Sequence, residues 1–264
     1  MGTRMRDLLG GALGSLRYEP TEKRLRMYLD GELVADTVDG LLVWEPRRVV
    51  PTYAIPEADF AARLASAGRV DDVSGLPVLV PTNPFAAHSC TGEMFDVIVG
   101  GRRCPSAAFR ADDSDLAGYL SVDFSAFDWR EEDEPIVSHP HDAFKRIDIL
   151  ASSRHVRIEA DGRLLAESSR PLLLFETALP TRFYLPPDDV AVDLQPSDTV
   201  SDCAYKGRAS YFSVPDGPAD IAWTYRDPLR EALPIRDHIA FFNERVDVIV
   251  DGQPRPRPVT PFSD

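Results

Sequence analysis

The hydrophobic and polar positions of this chain alternate in short runs, and the clearest case lies near the middle of the sequence. HVRIEA at 155–160 and RLLAES at 163–168 flank the dipeptide Asp161-Gly162. Alternation on both sides of Asp-Gly is the strongest short-range signal for a β-hairpin. We therefore predict a hairpin here, with the apolar residues of HVRIEA facing a core and its charged residues facing solvent.

Further short apolar or alternating runs are bounded by proline, glycine or aspartate. They span residues 171–176, 182–185, 209–214, 221–225 and 246–250. The stretch 235–242 fits a helix or a strand equally well. Because few segments have a helical period, we predict a mainly β fold with a minor helical part, built as small curved sheets or half-open β-barrels.

The sequence also resembles itself. RLRMYLDGELVADTVDGLLVWE at 24–45 aligns with HVRIEADGRLLAESSRPLLLFE at 155–176, so that Glu45 matches Glu176. Beyond this block the self-alignment matches Cys90 with Cys203 and His139 with His238. The matching blocks are 131 residues apart (176 − 45), which is the size of a domain. The self-similarity therefore indicates two homologous domains, of which the first is longer and more divergent.

The self-alignment also predicts the domain boundaries. An N-terminal extension, frayed or helical, covers 1–22; the two domains cover 23–151 and 152–252; a proline-rich extended tail covers 253–264. We expect the two domains to pack as a pseudo-dimer within the chain. A groove between domains is a common place for a ligand. The oligomeric state is left open.

Composition narrows the class of partner. The chain has 264 residues and a formal net charge of −14, with 44% hydrophobic and 27% charged residues. This balance predicts a globular protein and argues against nucleic acid or an anionic membrane as a partner, since both need a basic surface. No apolar run reaches the roughly 18 residues of a membrane span. Three cysteines at unrelated spacings favour reduced thiols and a cytoplasmic location.

Candidate chemistry concentrates in TVSDCAYKGRASYFSV at 199–214. Cys203 precedes a lysine and an arginine, and nearby cations favour the nucleophilic thiolate. His238 is the candidate general base, because the self-alignment retains a cysteine and a histidine in both copies. The alternative is that Cys203 is a small buried residue of the core and His238 a capped or surface residue.

The same stretch predicts a ligand site. Lys206 would bind an anion beside backbone N–H groups freed by a turn at Gly207, or would be a solvated turn lysine. Aromatic side chains would line a pocket for a flat ligand, although most of them also suit an ordinary sheet core. The aromatic candidates are Tyr184, Tyr205, Tyr211, Phe212, Trp223 and Tyr225.

Two carboxylates complete the predicted ligand site. Glu176 ends an apolar strand, where it either binds backbone N–H groups or an arginine, or acts as an acid or base facing the turn at Cys203. Asp227 is a further ligand-site candidate, with a turn cap as its alternative. The pairs His88/Cys90 and His139/His141 lack the spacing of a zinc site, so we predict no metal and no cofactor.

The second copy resembles the DUF427 family, a domain of unknown function that also carries a nucleotidyltransferase-like label. The resemblance rests on LLLFET, FYLPPDDV, PSDTVSDCAYKGRASYFSV, AWTYRDPL, IAFFNERVDVIVDG and RPVTPFS. It implies a small β-barrel, tent-like fold for each domain. The family's Cys-Pro-Tyr-Lys-Gly is Cys-Ala-Tyr-Lys-Gly at 203–207, and the first copy has no lysine in the matching segment, which implies altered or absent chemistry there.

Two functions follow from these residues. The first is a binding module that takes a small anionic or aromatic ligand in a cleft of the second domain near Cys203–Gly207. The alternative is an enzyme that uses Cys203 as a nucleophile or Lys206 as an anion clamp on a nucleotide-like substrate. The exposure and reactivity of Cys203 would separate the two.

Overall fold

The structure is a computed structural model that describes residues 2–215, 217–260 and 263. Strands account for 47% and helices for 10%, and none of the sheets formed by the described residues closes into a barrel. The predicted mainly β fold of small open sheets is therefore confirmed. The chain divides into two compact units between Asp142 and Ala143.

The first unit contains a seven-stranded sheet in the order β1-β4-β5-β9-β8-β7-β6 and a four-stranded sheet in the order β11-β10-β2-β3. Neighbouring strands are antiparallel in both. The strands are β1 (Arg17–Pro20), β2 (Leu25–Leu29), β3 (Glu32–Thr37), β4 (Leu41–Trp44), β5 (Thr52–Pro56), β6 (Arg63–Val70), β7 (Gly92–Val99), β8 (Arg102–Ala111), β9 (Tyr119–Val122), β10 (Asp128–Glu131) and β11 (Glu134–Ile136).

The second unit contains a seven-stranded sheet in the order β12-β15-β16-β20-β19-β18-β17 and a four-stranded sheet in the order β14-β13-β21-β22. The strands are β12 (Ile147–Ala151), β13 (Val156–Ala160), β14 (Arg163–Ser168), β15 (Leu172–Glu176), β16 (Arg182–Leu185), β17 (Gln195–Cys203), β18 (Gly207–Ser213), β19 (Ala222–Tyr225), β20 (Ile239–Phe241), β21 (Asp247–Val250) and β22 (Gln253–Arg255). The two units therefore have the same strand order, with β12 in the place of β1 and β22 in the place of β11.

The remaining regular elements are short. Helix α1 spans Met5–Gly11. The 3₁₀ helices are Ala12–Gly14, Glu57–Asp59, Ser114–Leu116, Phe124–Ala126, Pro187–Asp189 and Arg230–Ile235. Within the stretch predicted as either helix or strand, β20 forms after a 3₁₀ helix that ends at Ile235. None of the helices in the described part of the chain has both the length and the apolar character needed to cross a membrane.

Two-residue turns set the hairpins. Asp161 and Gly162 both have positive φ, of 50° and 75°, as the turn between β13 and β14 requires. Val156 and Ile158 are buried on the inner face of β13. The predicted hairpin is thus confirmed. Asp-Gly turns also join β2 to β3 and β21 to β22, so the start of the proline-rich tail is strand β22.

The start of each unit differs from the domain boundary that the self-alignment predicts. Arg17–Pro20, assigned to the N-terminal extension, forms β1 and pairs with β4. Ile147–Ala151, assigned to the first domain, forms β12 and pairs with β15 of the second unit. Both edge pairings are long-range contacts, which a comparison of short sequence motifs does not detect.

Sheet register corrects the later part of the self-alignment. Trp223 lies opposite Tyr211, and Phe109 occupies the same place opposite Met94. Counting four residues back from Tyr211 and from Met94 places Cys90 level with Gly207, so the register does not support the match of Cys90 with Cys203. RIDIL at 146–150 resembles RVDVI at 245–249, and the self-alignment pairs the two, but the first belongs to β12 and the second leads into β21. The match of His139 with His238 therefore has no basis in the topology.

The main core of the second unit lies between its two sheets. Side chains from β13 and β21 of the smaller sheet pack against β15, β16, β19 and β20 of the larger one. The buried core residues are Val156, Ile158, Ala160, Leu165, Ala166, Leu173, Phe183, Leu185, Phe212, Val214, Ile221, Ala222, Ile239, Phe241, Val246, Val248 and Val250. A second cluster covers the opposite face of the larger sheet and carries the candidate site.

Candidate functional site

The turn between β17 and β18 brings the predicted lysine inside the second unit. Gly207 has φ +87°, a left-handed conformation that favours glycine, and a side chain there would come within 3.4 Å of Asp227 and Leu229. The backbone N–H of Leu229 donates to the carbonyl of Lys206 at 3.1 Å. Lys206 is only 8% exposed, so it is not a solvated turn lysine.

Lys206 crosses the sheet to a carboxylate. Its Nζ donates to Oε2 of Glu176 at 2.6 Å, and Nζ of Lys145 lies 3.7 Å from Oε1 of the same residue. Glu176 ends β15, the second strand of the sheet, whereas Lys206 precedes β18, the sixth. Two cations therefore meet one buried carboxylate on a single face of the sheet.

We call this surface the Glu176 face. Besides Glu176 it carries Leu174, Tyr184, Trp223 and Tyr225, which form the second hydrophobic cluster with residues of the adjoining 3₁₀ helix. Side chains two apart along a strand share a face, so these residues point away from the main core.

Electrostatics within the site keep Lys206 charged. Burial acts to lower the pKa of Lys206, but the neighbouring Cys203 and Tyr184 side chains and the carboxylate of Glu176, with its hydrogen bond, outweigh it. The pKa of Lys206 is therefore raised above its ordinary value, and its role is that of a fixed ammonium group.

The tyrosines of the Glu176 face are neutral donors. Burial raises the pKa of Tyr184 to about 12, although Lys206 and the hydrogen bond with Trp223 oppose this shift. The Tyr184 hydroxyl accepts a hydrogen bond from Nε1 of Trp223 at 3.1 Å. Burial likewise raises the pKa of Tyr225 well above its ordinary value.

The other predicted aromatic residues differ in how much of each side chain is exposed to solvent. Tyr205 is 5% exposed and Trp223 is 7% exposed, so both serve as walls or core. Tyr211 is half-buried, shares a hydrogen bond with Ser201 at 2.8 Å and stacks on Phe242 with ring centroids 6.2 Å apart. Tyr211 and Phe242 are thus the aromatic surface that a ligand could reach.

Cys203 and His238 have different surroundings. Cys203 is half-buried at the end of β17, three residues before Lys206. His238 directs Nδ1 to the carbonyl of Arg236 at 3.0 Å. The predicted pairing of the two residues stays a prediction, without the support of the self-alignment.

Asp227 lies on the outside of the second unit. Its side chain is 98% exposed and lies 3.6 Å from Nη2 of Arg236. Its backbone carbonyl, rather than its carboxylate, lies next to Gly207. The backbone thus shapes the turn while the carboxylate remains in solvent.

The first unit has a related arrangement without a lysine. Glu45 directly follows β4, and its Oε1 lies 2.9 Å from Nδ1 of His88. The backbone N–H of Ser89 donates to Oε2 at 2.6 Å, and Nε of Arg48 lies 3.9 Å from Oε1. Burial acts to raise the pKa of Glu45, but His88 and Arg48 outweigh it and lower that pKa. The first unit has no lysine at this position, as expected, and its Glu45 carboxylate is instead contacted by a histidine and an arginine.

His88 comes from the long connection between β6 and β7. Its ring stacks on Phe109, with centroids 3.7 Å apart and planes inclined by 10°. Trp223 and Tyr184 both lie opposite Ala240, and in the first unit Phe109 and Ala54 both lie opposite Ser121. Phe109 therefore occupies the position of Trp223, and Ala54 that of Tyr184. In the first unit one imidazole, that of His88, thus contacts both the aromatic ring and the carboxylate. In the second unit two residues make these contacts: Tyr184 binds Trp223, and Lys206 binds Glu176.

Lys145 was not among the residues predicted for the site. The signal for Lys145 is composition, because only three of the 29 basic residues other than histidine are lysines: Lys23, Lys145 and Lys206. Two of these three meet at Glu176, and the third binds the buried Glu131 at 2.7 Å. Lysine is a compact point charge with three rotatable donors, unlike arginine.

The histidines considered as metal ligands contact different carboxylates. His88 contacts Glu45, whereas His141 lies 3.1 Å from Glu131. Within the described ranges, no three His, Cys, Asp or Glu side chains come together as a possible metal site.

Comparison with known families supports the resemblance for the second unit. Residues 148–252 match the family described as a domain of unknown function, DUF427. The matched segment begins in β12 and ends at the turn after β21, so it includes Glu176 and Lys206. No curated protein matches the chain.

Proposed function

We propose that the second unit, whose residues 148–252 belong to the DUF427 family, binds a small anion with a flat ring on the Glu176 face. The convergence of Lys145 and Lys206 on Glu176 carries this proposal. Two ammonium groups and one carboxylate leave an excess of one positive charge in a largely buried setting. Electrostatic attraction for an anion is stronger there than in water.

Free donors accompany this charge. Lys206 uses one of its three N–H donors on Glu176, while Lys145 lies beyond hydrogen-bond distance from the same carboxylate. The Lys145 side chain is 23% exposed, compared with 10% for Lys206. Lys145 is therefore the group that an incoming anion would meet first.

The half-buried rings of Tyr211 and Phe242 would contact the flat part of the ligand. Both pack against the cluster that contains Tyr184 and Trp223. Small-molecule sites commonly combine such apolar walls with a few polar groups of fixed orientation.

We also propose that the two units are copies of one domain and that the first has lost this ligand site. The shared strand order supports the common origin. In the first unit His88 and Ser89 occupy both oxygens of Glu45, and the ring of Phe109 is covered by His88. The residues that would receive a ligand there are already bound to the chain itself.

Calorimetric titration of the full chain with adenosine 5′-monophosphate, inorganic phosphate and adenosine tests the proposal. The nucleotide should bind more tightly than either part, since it joins a ring to an anion. Lys145→Gln should weaken binding by about tenfold, because a hydrogen bond to a charged group is lost.

Lys23→Gln is the matched control, since it makes the same change at a lysine of the first unit. It should leave nucleotide affinity unchanged within about twofold. The absence of binding by all three compounds, or equal effects of the two lysine variants, would contradict an anion site on the Glu176 face.

A second candidate, an acyl- or group-transfer enzyme, rests on the half-buried Cys203 beside Lys206. A thiolate at Cys203 would attack an electrophilic carbon, and the ammonium of Lys206 would stabilise the negative charge of the thiolate and of the leaving oxygen. Incubation with p-nitrophenyl acetate tests this: the thiolate should form an acetyl thioester and release p-nitrophenolate. Mass spectrometry that finds no acetyl group on Cys203 would exclude the nucleophile.

A further inference from the structure

A second concave site lies on the other side of the same sheet. It is a cavity of about 270 Å³ at the ends of β15 and β16, where the chain after β22 passes over them. Its lining includes Arg154, Leu173, Phe175, Phe183, Arg255 and Pro256. Because Leu173 and Phe183 belong to the core between the sheets, this cavity is separate from the Glu176 face.

The interior of the cavity is apolar. Leu173 and Phe183 form its buried wall and are paired across β15 and β16. Phe175 is 42% exposed and prolines close the remaining sides. A large aromatic ring left partly in solvent beside a concave surface is suited to cover an apolar ligand.

The rim of the cavity carries an excess of positive charge. Nε of Arg154 donates to Oδ2 of Asp251 at 2.8 Å, which neutralises one guanidinium. Arg255 is exposed, and among the described residues no side-chain hydrogen bond or ion pair engages its guanidinium. Its charge interacts with Asp251 only at longer range. One guanidinium at the mouth is thus available to a ligand.

The tail that forms the outer wall is fixed in place. Thr260 donates from Oγ1 to Oε1 of Glu244 at 2.6 Å. Glu244 in turn accepts two hydrogen bonds from Arg182, at 2.6 and 2.7 Å, and both charged side chains are buried. The cavity is therefore largely formed before any ligand arrives, which lowers the entropic cost of binding.

We propose that this cavity binds a small monocarboxylate with an apolar, flat body, its carboxylate paired with Arg255 at the rim. Arginine suits this role because its planar guanidinium matches a carboxylate with two parallel hydrogen bonds. At the packing density of protein interiors, a cavity of this size accepts roughly ten to twelve non-hydrogen atoms. 3-Phenylpropionate has this size and shape.

Nuclear magnetic resonance of the full chain, with methyl-labelled leucine, tests the proposal with 3-phenylpropionate as the probe. The Leu173 methyl resonances should shift in a saturable way at millimolar concentrations, as for a ligand of this size. The neutral 3-phenylpropanamide should bind about tenfold more weakly, since it cannot form the charged pair with Arg255.

Variants separate this cavity from the Glu176 face. Arg255→Gln, at an exposed position, should weaken binding of 3-phenylpropionate about tenfold. Arg257→Gln is the matched control, because Arg257 binds Asp247 at 2.9 Å and does not line the cavity. Equal binding of acid and amide, equal effects of the two arginine variants, loss of binding in Lys145→Gln, or no shift at Leu173 would each overturn the proposal.

Discussion

Lys206 Nζ and Glu176 Oε2 lie 2.6 Å apart although their side chains start from opposite parts of a seven-stranded sheet. In the first unit, Glu45 makes the corresponding link to His88 and Ser89, which precede β7. Both units thus join the second strand of the sheet to the chain before the sixth strand through one buried carboxylate. This polar link connects two parts of the sheet that are not paired with each other as strands.

The first prediction concerns the strength of this link. Glu176→Gln removes the counter-charge of the buried Lys206 and should lower the free energy of unfolding by about 3–5 kcal/mol. Lys206→Met should have a smaller effect, because Lys145 remains 3.7 Å from Glu176. Urea denaturation followed by the fluorescence of Trp223, with Trp44 and Trp129 replaced by phenylalanine, would measure both.

The double variant Glu176→Gln/Lys206→Met provides the control for the first prediction. Its destabilisation should be less than the sum of the single effects, because either single change already removes the interaction between the two side chains. Additive effects would show that the two side chains do not depend on each other.

The second prediction concerns acid stability of the first unit. Burial acts to raise the pKa of Glu131, but hydrogen bonds from His141, Lys23 and Tyr53 outweigh it and lower that pKa to about 2. A depressed folded pKa means that stabilisation is complete above the unfolded value near 4.5 and is lost as the pH falls toward 2. The loss should be on the order of 2–3 kcal/mol.

Urea unfolding of the first unit between about pH 6 and pH 2 measures this loss. Glu131→Gln should be less stable than the parent protein at neutral pH and should lack most of the acid dependence. An acid dependence that is the same in both proteins would assign it to other carboxylates.

The third prediction concerns the buried hydrogen bond between Tyr184 and Trp223. Tyr184→Phe leaves Nε1 of Trp223 without its acceptor and should cost about 1–3 kcal/mol of unfolding free energy. Tyr18→Phe is the control, because Tyr18 is 42% exposed and such surface changes are usually within about 0.5 kcal/mol. Similar thermal unfolding of the two variants would contradict the structural role of this bond.

Sequence pattern is sufficient where structure is local. Asp30-Gly31, Asp161-Gly162 and Asp251-Gly252 all adopt positive φ and form tight turns between paired strands. Two residues alone set the geometry of such a turn, so the hairpins can be read from the sequence.

Pairing across the sheet cannot be read in the same way. The contact between β12 and β15 depends on how the whole unit folds, and a short similar motif drew the alignment away from it. The repeat did single out Glu176 and Glu45, but their partners come from distant turns. Lys145 could be found only by noting how rarely the chain uses lysine.

The last prediction concerns the order of thiol reactivity. Burial and the charge of Glu45 raise the pKa of Cys90 far above its ordinary value, and burial and Asp123 raise that of Cys104. Cys203 is half-buried beside a fixed ammonium, so it should react fastest with iodoacetamide at about pH 8, and Cys90 slowest. Lys206→Met should slow Cys203 about fivefold without changing Cys104, because removal of the cation disfavours the thiolate. Peptide mass spectrometry over time would measure all three rates, and a Cys203 that reacts only after unfolding would rule out both its accessibility and the enzymatic alternative.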